Sequence, residues 1–181
     1  MIRLVLFDID GTLILTGGAG MKAFAEAFSE EFDLPQATEA MDFAGRTDRG
    51  LACQVFRANH IEPTQANFEK FTEAYTQRLA KYLPADNTQP LPGVVELLDA
   101  IEAMAAPPVL GLLTGNLPLG AELKLTHYHL WHRFKFGAFG DTTEDRNKIA
   151  QYAFENAQGQ FPNLIPSEIL IIGDTPADIH C

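Results

Sequence analysis

Basic charge is scarce in this chain: 13 lysines and arginines stand against 24 aspartates and glutamates, a formal charge of −11 at pH 7. A polyanion needs a basic face to meet, so neither nucleic acid nor an anionic membrane is expected as a partner. Cysteine is nearly absent. Cys53 and Cys181 lie far apart, fit no zinc spacing and cannot supply the disulfide framework of a small secreted domain, which points to a reducing, cytoplasmic setting. Long apolar runs are missing as well, since stretches such as residues 2–7 and 109–113 fall far short of the roughly 20 residues that span a bilayer. Asp8 and Asp10 fall where a signal peptide would need an unbroken apolar segment, so export is not expected. No internal repeat is visible. What is present is a globular composition, 46% hydrophobic and 10% aromatic over 181 residues, enough for one large domain or a domain carrying an insertion.

Leu4-Val5-Leu6-Phe7 is a short apolar run closed by Asp8, the pattern of a strand buried on both faces of a parallel sheet. Val109-Leu110-Gly111-Leu112-Leu113 and Ile169-Leu170-Ile171-Ile172 repeat it, each entered after proline, and residues 134–139 are a weaker candidate ending at Gly140-Asp141. The three strong runs end in Asp8-Ile9-Asp10-Gly11, Thr114-Gly115-Asn116 and Gly173-Asp174-Thr175. Helical patterns lie between them: Val94, Leu97, Leu98 and Ile101 after Pro92, and Ile149, Tyr152, Ala153 and Phe154 after Asp145. Strands alternating with helices imply an α/β fold, a doubly wound, Rossmann-like parallel sheet whose ligands sit at the carboxyl ends of the strands.

Residues 16–89 contain no strand-like run. Met21, Phe24, Phe28 and Phe32 are spaced 3, 4 and 4, and Phe68, Phe71, Tyr75 and Leu79 keep the same rhythm, so this segment is expected to be an all-helical insertion whose aromatic stripes form its own core. Gly17-Gly18-Ala19-Gly20 and the proline-bounded stretch 84–92 are the expected hinges, leaving residues 1–15 and 90–181 as a discontinuous core.

Two acids at the end of a buried strand repel each other and are costly to desolvate, which makes a divalent cation a natural third party for Asp8 and Asp10. Capping of the next turn is the plainer alternative. Gly11-Thr12 allows a tight turn whose N–H groups approach an anion. Thr114-Gly115-Asn116 offers a hydroxyl, an amide unobstructed by a side chain and a carboxamide, and Pro118 marks a helix start whose positive end would make a phosphate seat; taken alone, the motif is more often an ordinary helix start. Asp174 could complete an oxygen-rich magnesium site, with Asp178 four residues further on.

These three strand ends, in this order, resemble the haloacid dehalogenase-like hydrolase superfamily over nearly the whole chain. Asp8-Ile9-Asp10-Gly11-Thr12-Leu13 resembles its first motif, Leu112-Leu113-Thr114-Gly115-Asn116 its second, and Gly173-Asp174-Thr175-Pro176-Ala177-Asp178 its fourth. The helical insertion falls where the family carries its C1 cap. The resemblance implies a phosphatase, phosphoglycolate phosphatase-like, that hydrolyses a small phosphorylated metabolite. Asp8 would be the nucleophile forming an aspartyl-phosphate and Asp10 the general acid and base. Magnesium would be held by the Asp8 side chain, the Asp10 carbonyl and Asp174, with Asp178 in support, while Thr114 and Gly115, beside Asn116, hold phosphoryl oxygens. The third motif needs a cation, and Asp145-Arg146-Asn147-Lys148 offers Arg146, towards which phosphoglycolate phosphatase-like members lean, and Lys148. Asp10 disfavours carbon–halogen cleavage and, despite Lys22 in the first cap helix, Schiff-base phosphonate chemistry.

In Gly45-Arg46-Thr47-Asp48, Arg46 is expected either to meet an anionic substrate group as the cap closes or to stand exposed while Thr47 or Asp48 caps a helix. His127, His129 and His132 are spaced wrongly for a shared metal on one helical face and read as surface or packing residues. Relatives continue beyond the fourth motif, so an end at Cys181 reads as a core short of its last strand or strands. A β-phosphoglucomutase-like phosphomutase and a non-catalytic phospholigand-binding protein are the rival functions. Neither the particular substrate nor the oligomeric state is legible.

Overall fold

The computed structural model describes residues 1–39, 41–83 and 89–180. Most of the expected second hinge, residues 84–88, and Cys181 lie outside the described residues. The three strong apolar runs form β1 (Leu4–Phe7), β2 (Val109–Leu113) and β4 (Ile169–Ile172), and the weaker one shortens to β3 (Phe136–Ala138). They make one four-stranded parallel sheet in the order β3-β2-β1-β4. The direction of winding therefore reverses at β1, the position at which doubly wound sheets open a ligand crevice.

Alternation along β1 decides the layers. Val5 and Phe7 pack with Leu110, Leu112, Val94, Leu98, Ala121 and Leu125, beneath α4 (Val94–Glu102) and α5 (Pro118–His127). Leu4 and Leu6 pack on the other face with Ile149, Ala153 and Ala157 of α6 (Arg146–Gln160). The buried stripe of α6 thus runs through Ile149, Ala153 and Ala157, and Tyr152, read into that face from the sequence, points outward. A single turn, α7 (Pro176–His180), follows β4. β4 is an edge strand among the described residues, and Leu170 on it is exposed.

Among the described residues three helices intervene between β1 and α4: α1 (Ala19–Phe32), α2 (Asp48–Ala58) and α3 (Gln65–Tyr82). Their starts follow local chemistry, since Thr47 Oγ1 accepts from the Gly50 amide at 2.9 Å and Thr64 Oγ1 from the Asn67 amide at 3.2 Å, while α1 begins after Gly18 at φ 93°. Phe24, Phe28, Phe56, Phe71, Tyr75 and Leu79 form a separate apolar cluster into which Leu117, just ahead of α5, also packs. The Phe71 ring lies 4.7 Å from Phe24 and 4.8 Å from Phe28, and it stacks on Tyr75. Met21 leaves the stripe predicted for it and is exposed. No helix among the described residues is long and apolar enough to cross a membrane.

Candidate active site

Parallel register brings the motif residues together. Phe7 stands opposite both Leu112 and Ile172, so the chain leaves the sheet at Asp8, Thr114 and Asp174 on one edge. Above that edge lies a cavity of about 440 Å³ lined by Asp8, Asp10, Thr114, Asn116, Arg146 and Asp174 from the sheet side, and by Met21, Phe43 and Arg46 from the helical side. The two aspartates of the first motif face different neighbours across it.

Asp8 is buried beneath the cavity, its amide donating to the Ile172 carbonyl at 2.9 Å. Arg146, at the start of α6, places its guanidinium 3.4 Å from Asp8 Oδ1 and in a closer ion pair with Asp178. Asp178 is itself oriented by the Thr175 amide at 3.0 Å and hydroxyl at 2.7 Å. Burial pushes the Asp8 carboxyl up to about 6; Arg146 and the Ile9 amide pull it down, while Asp178 and Asp10 add to the rise. Asp8, Asp174 and Asp178 each offer a carboxylate oxygen within 4.8 Å of the others. Gly11 sits at φ 83°, a turn that favours glycine, and the Asp174 carboxylate packs against it, a Cβ there lying 2.2 Å from Oδ2. An all-oxygen, strongly negative cluster held this tightly fits a hard divalent cation.

Asp10 turns the other way. Its carboxylate receives Lys124 Nζ at 2.8 Å on Oδ1 and 2.6 Å on Oδ2, and Asn116 Nδ2 at 2.8 Å. Lys124 also donates to Asn116 Oδ1 at 2.6 Å, and Asn116 Nδ2 reaches Thr114 Oγ1 at 2.8 Å. The fully buried Thr114 accepts a second bond from the Asn116 amide at 3.3 Å, so its hydroxyl proton is left to donate.

The Gly45-Arg46-Thr47-Asp48 loop rests on these strand ends. Asp48 N donates to the Gly115 carbonyl at 2.7 Å, Arg49 N to the Gly140 carbonyl at 3.2 Å, and the Arg49 side chain to the Asp141 carbonyl at 2.9 Å. A Cβ on Gly115 would fall 2.1 Å from the Arg46 carbonyl oxygen, so this glycine is demanded by the seated loop. Asp48 Oδ2 accepts from the Leu117 amide at 2.8 Å. The amide just ahead of α5, expected to serve a phosphate seat, is therefore already engaged by a carboxylate. Burial raises the Asp48 carboxyl to about 6, against the pull of Lys124 and the Leu117 amide, and Asp10 raises it further.

The structure thus brings Asp8, Asp10, Thr114, Gly115, Asn116, Arg146, Asp174 and Arg46 to one cavity, with Asp178 behind Arg146. Lys148 is exposed and does not line the cavity, so of the two third-motif cations it is Arg146 that meets Asp8. Thr47 caps α2 and Arg46 stands exposed, the second of the two readings of this loop; Arg46 also lines the cavity and donates to Gln54 Oε1 at 2.8 Å. Lys22 lies 3.9 Å over the Tyr82 ring and is not among the lining residues. Of the three histidines, His127 packs edge-on against Tyr128. Sequence reasoning missed Lys124 and the cross-helix role of Asp48. The signal for the first was available: Lys124 continues the apolar stripe of Leu117, Ala121 and Leu125, where an unpaired charge is costly.

The profile of the haloacid dehalogenase-like hydrolases matches residues 5–181, and the chain belongs to that family. Among solved structures it is similar to a protein described as a predicted phosphoglycolate phosphatase from Haemophilus somnus 129pt, with TM-score 0.72 and 24% identity over 98% of this chain and 79% of that one. CbbY from Rhodobacter sphaeroides in complex with phosphate gives TM-score 0.70 and 18% identity over 94% of this chain and 77% of that one. YfnB from Bacillus subtilis, bound to magnesium, gives TM-score 0.56 and 18% identity over 96% and 80%. No curated protein matches the chain.

Proposed function

We infer that this protein is a magnesium-dependent phosphatase that hydrolyses a small phosphorylated metabolite through a phosphoenzyme on Asp8. The observation that carries the reading is the position of Asp8, buried at the sheet edge between a guanidinium and two further acids, with a threonine hydroxyl and a glycine amide at the neighbouring strand end. A soluble-metabolite substrate agrees with a cavity of about 440 Å³ walled by both sheet edge and helices. The similarity to a predicted phosphoglycolate phosphatase and to a phosphate complex of CbbY supports phosphoryl chemistry, and the magnesium-bound YfnB supports the metal.

Asp8 attacks phosphorus with a carboxylate oxygen, and the ester oxygen of the leaving alcohol departs with a proton from Asp10. Thr114, the Gly115 amide and Arg146 hold the non-bridging oxygens, Arg146 being aimed by Asp178. Asp10 then takes a proton from water as the water attacks the acyl-phosphate, which returns Asp8 and releases inorganic phosphate. Asp8 and Asp174, with the Asp10 carbonyl, would hold the cation, and Asp178 stands beside them; bound magnesium supplies positive charge that keeps Asp8 ionised and offsets repulsion between carboxylate and phosphate. Closure of the Arg46 loop over the cavity keeps bulk water from the reacting centre.

The test is phosphate release from a panel of phosphomonoesters with magnesium present. The reading expects steady release of free phosphate that disappears on chelation and in Asp8→Asn. An isomeric sugar phosphate in place of free phosphate would make the protein a mutase, and binding without turnover would make it a phospholigand-binding protein.

A further inference from the structure

The energetics of Lys124 are at odds with a purely structural part. Its side chain is 5% exposed, in the last turn of α5 and in line with the buried Leu117, Ala121 and Leu125. Desolvating an ammonium costs several kcal/mol, and an apolar residue of similar volume at such a place is usually neutral or stabilising. The lysine is nevertheless fully satisfied. Its three N–H donors match three acceptors: Asp10 Oδ1, Asp10 Oδ2 and Asn116 Oδ1. Asp10, in contrast, is 43% exposed on its side chain and faces the cavity. A buried cation therefore grips a partly exposed carboxylate, and Asn116 closes the triangle by donating to Asp10 Oδ2 at 2.8 Å. Nζ has little freedom to move away. Gly20 of α1 borders both Nζ and the Tyr75 hydroxyl, a Cβ on it standing 3.6 Å from the one and 3.9 Å from the other, and the Asp48 carboxylate on α2 is electrostatically coupled to Lys124.

We propose that Lys124 is a positioning residue for the reaction, holding the Asp10 carboxylate, together with Asn116, at the cavity wall in the arrangement from which Asp10 meets the leaving oxygen. Lys124 donates to Asp10 and Asn116, and it is through these two side chains that it acts. Its effect falls on proton transfer and leaves the phosphate seat alone.

The proposal rests on the phosphatase reading and is tested by a cycle of Lys124→Met, Asp10→Asn and the double variant. Lys124→Met is expected to lower kcat by about 10²-fold, the scale on which a misplaced catalytic group is felt, with KM and inhibition by inorganic phosphate near wild type. The double variant is expected to be no slower than Asp10→Asn alone, and Lys124→Arg to recover part of the rate. Losses that multiply in the double variant, or a Lys124→Met enzyme with unchanged kcat, would overturn the proposal. Should Lys124→Met fail to fold, Lys124→Gln, which keeps polarity without the charge, takes its place in the same cycle. A crystal structure of the variant provides the arm that needs no turnover: the Asp10 carboxylate is expected to leave its place against Asn116, and its retention there would contradict the proposal even if the wild-type chain hydrolysed no phosphomonoester.

Discussion

Rings hold together the helices between β1 and α4, and charges hold the sheet edge beneath them. Phe24, Phe28, Phe71 and Tyr75 fill the space among α1, α2 and α3 with ring-on-ring contacts. At the carboxyl edge stand two ionic groups, Asp8 with Arg146 and Asp178, and Asp10 with Lys124 and Asn116. Apolar packing yields by degrees as volume is removed. A polar constellation in which each group orients the next fails as a unit. The comparison therefore separates stability from activity, with mutations among the rings moving the first and mutations at the edge the second.

Asp8→Asn should give the largest effect, removing the proposed nucleophile and lowering turnover on the order of 10³-fold or more, while the thermal midpoint of the metal-free protein does not fall, because burial already disfavours the charge it removes. A midpoint that dropped with activity would mean that the edge is structural after all. Phe71→Ala should do the reverse. Emptying a fully buried ring from the helical cluster should cost about 3–5 kcal/mol in denaturant unfolding and leave the residual folded fraction competent at the sheet edge. Gly115→Ala sharpens the border between the two regions, since the added methyl collides with the Arg46 carbonyl and must lift the loop; kcat/KM is expected to fall by about 10²-fold with little change in unfolding.

The smallest effect belongs to Asp48, which joins the regions at the Leu117 amide. Its folded value of about 6 lies above the ordinary 3.8, so the folded protein binds this proton more tightly than the unfolded chain. The stability it contributes is complete below about 4 and is lost as pH rises through about 6. Asp48→Asn should therefore gain stability relative to wild type between pH 4 and pH 7, read as a difference in denaturation midpoints in chelator; a flat difference would place the carboxyl in a wetter setting than its burial implies.

Much of this border was legible beforehand because buried parallel strands announce themselves: an uninterrupted apolar run followed by an acid or a glycine marks both the strand and the place where its chemistry sits. Asp8, Thr114 and Asp174 were found in that way, although their level alignment depends on a register that pairs Phe7 with Leu112 and Ile172 and is invisible in any single run. Helical period reveals that a face exists but sets its phase loosely, and so Met21 and Tyr152 were placed inward when Phe24, Phe28, Ile149 and Ala153 already fill the interior. Lys124 and Asp48 stayed hidden for a different reason. Each satisfies a partner more than 60 positions away, so local sequence shows a lysine on an apolar stripe and an aspartate at a helix start without showing what either meets. That Arg146 and not Lys148 meets Asp8 likewise depends on the turn of α6 against β1.

The account's central claim is that the buried carboxylate closing β1 is esterified during turnover. Rapid quenching of the enzyme with magnesium and a hydrolysed phosphomonoester, followed by peptide fragmentation in a mass spectrometer, reads this directly. A single phosphoryl group on Asp8, absent from Asp8→Asn and accumulating in Asp10→Asn where its hydrolysis is slowed, is the result expected. Turnover with no phosphoryl group on the chain, or with the group on any other residue, would contradict the account.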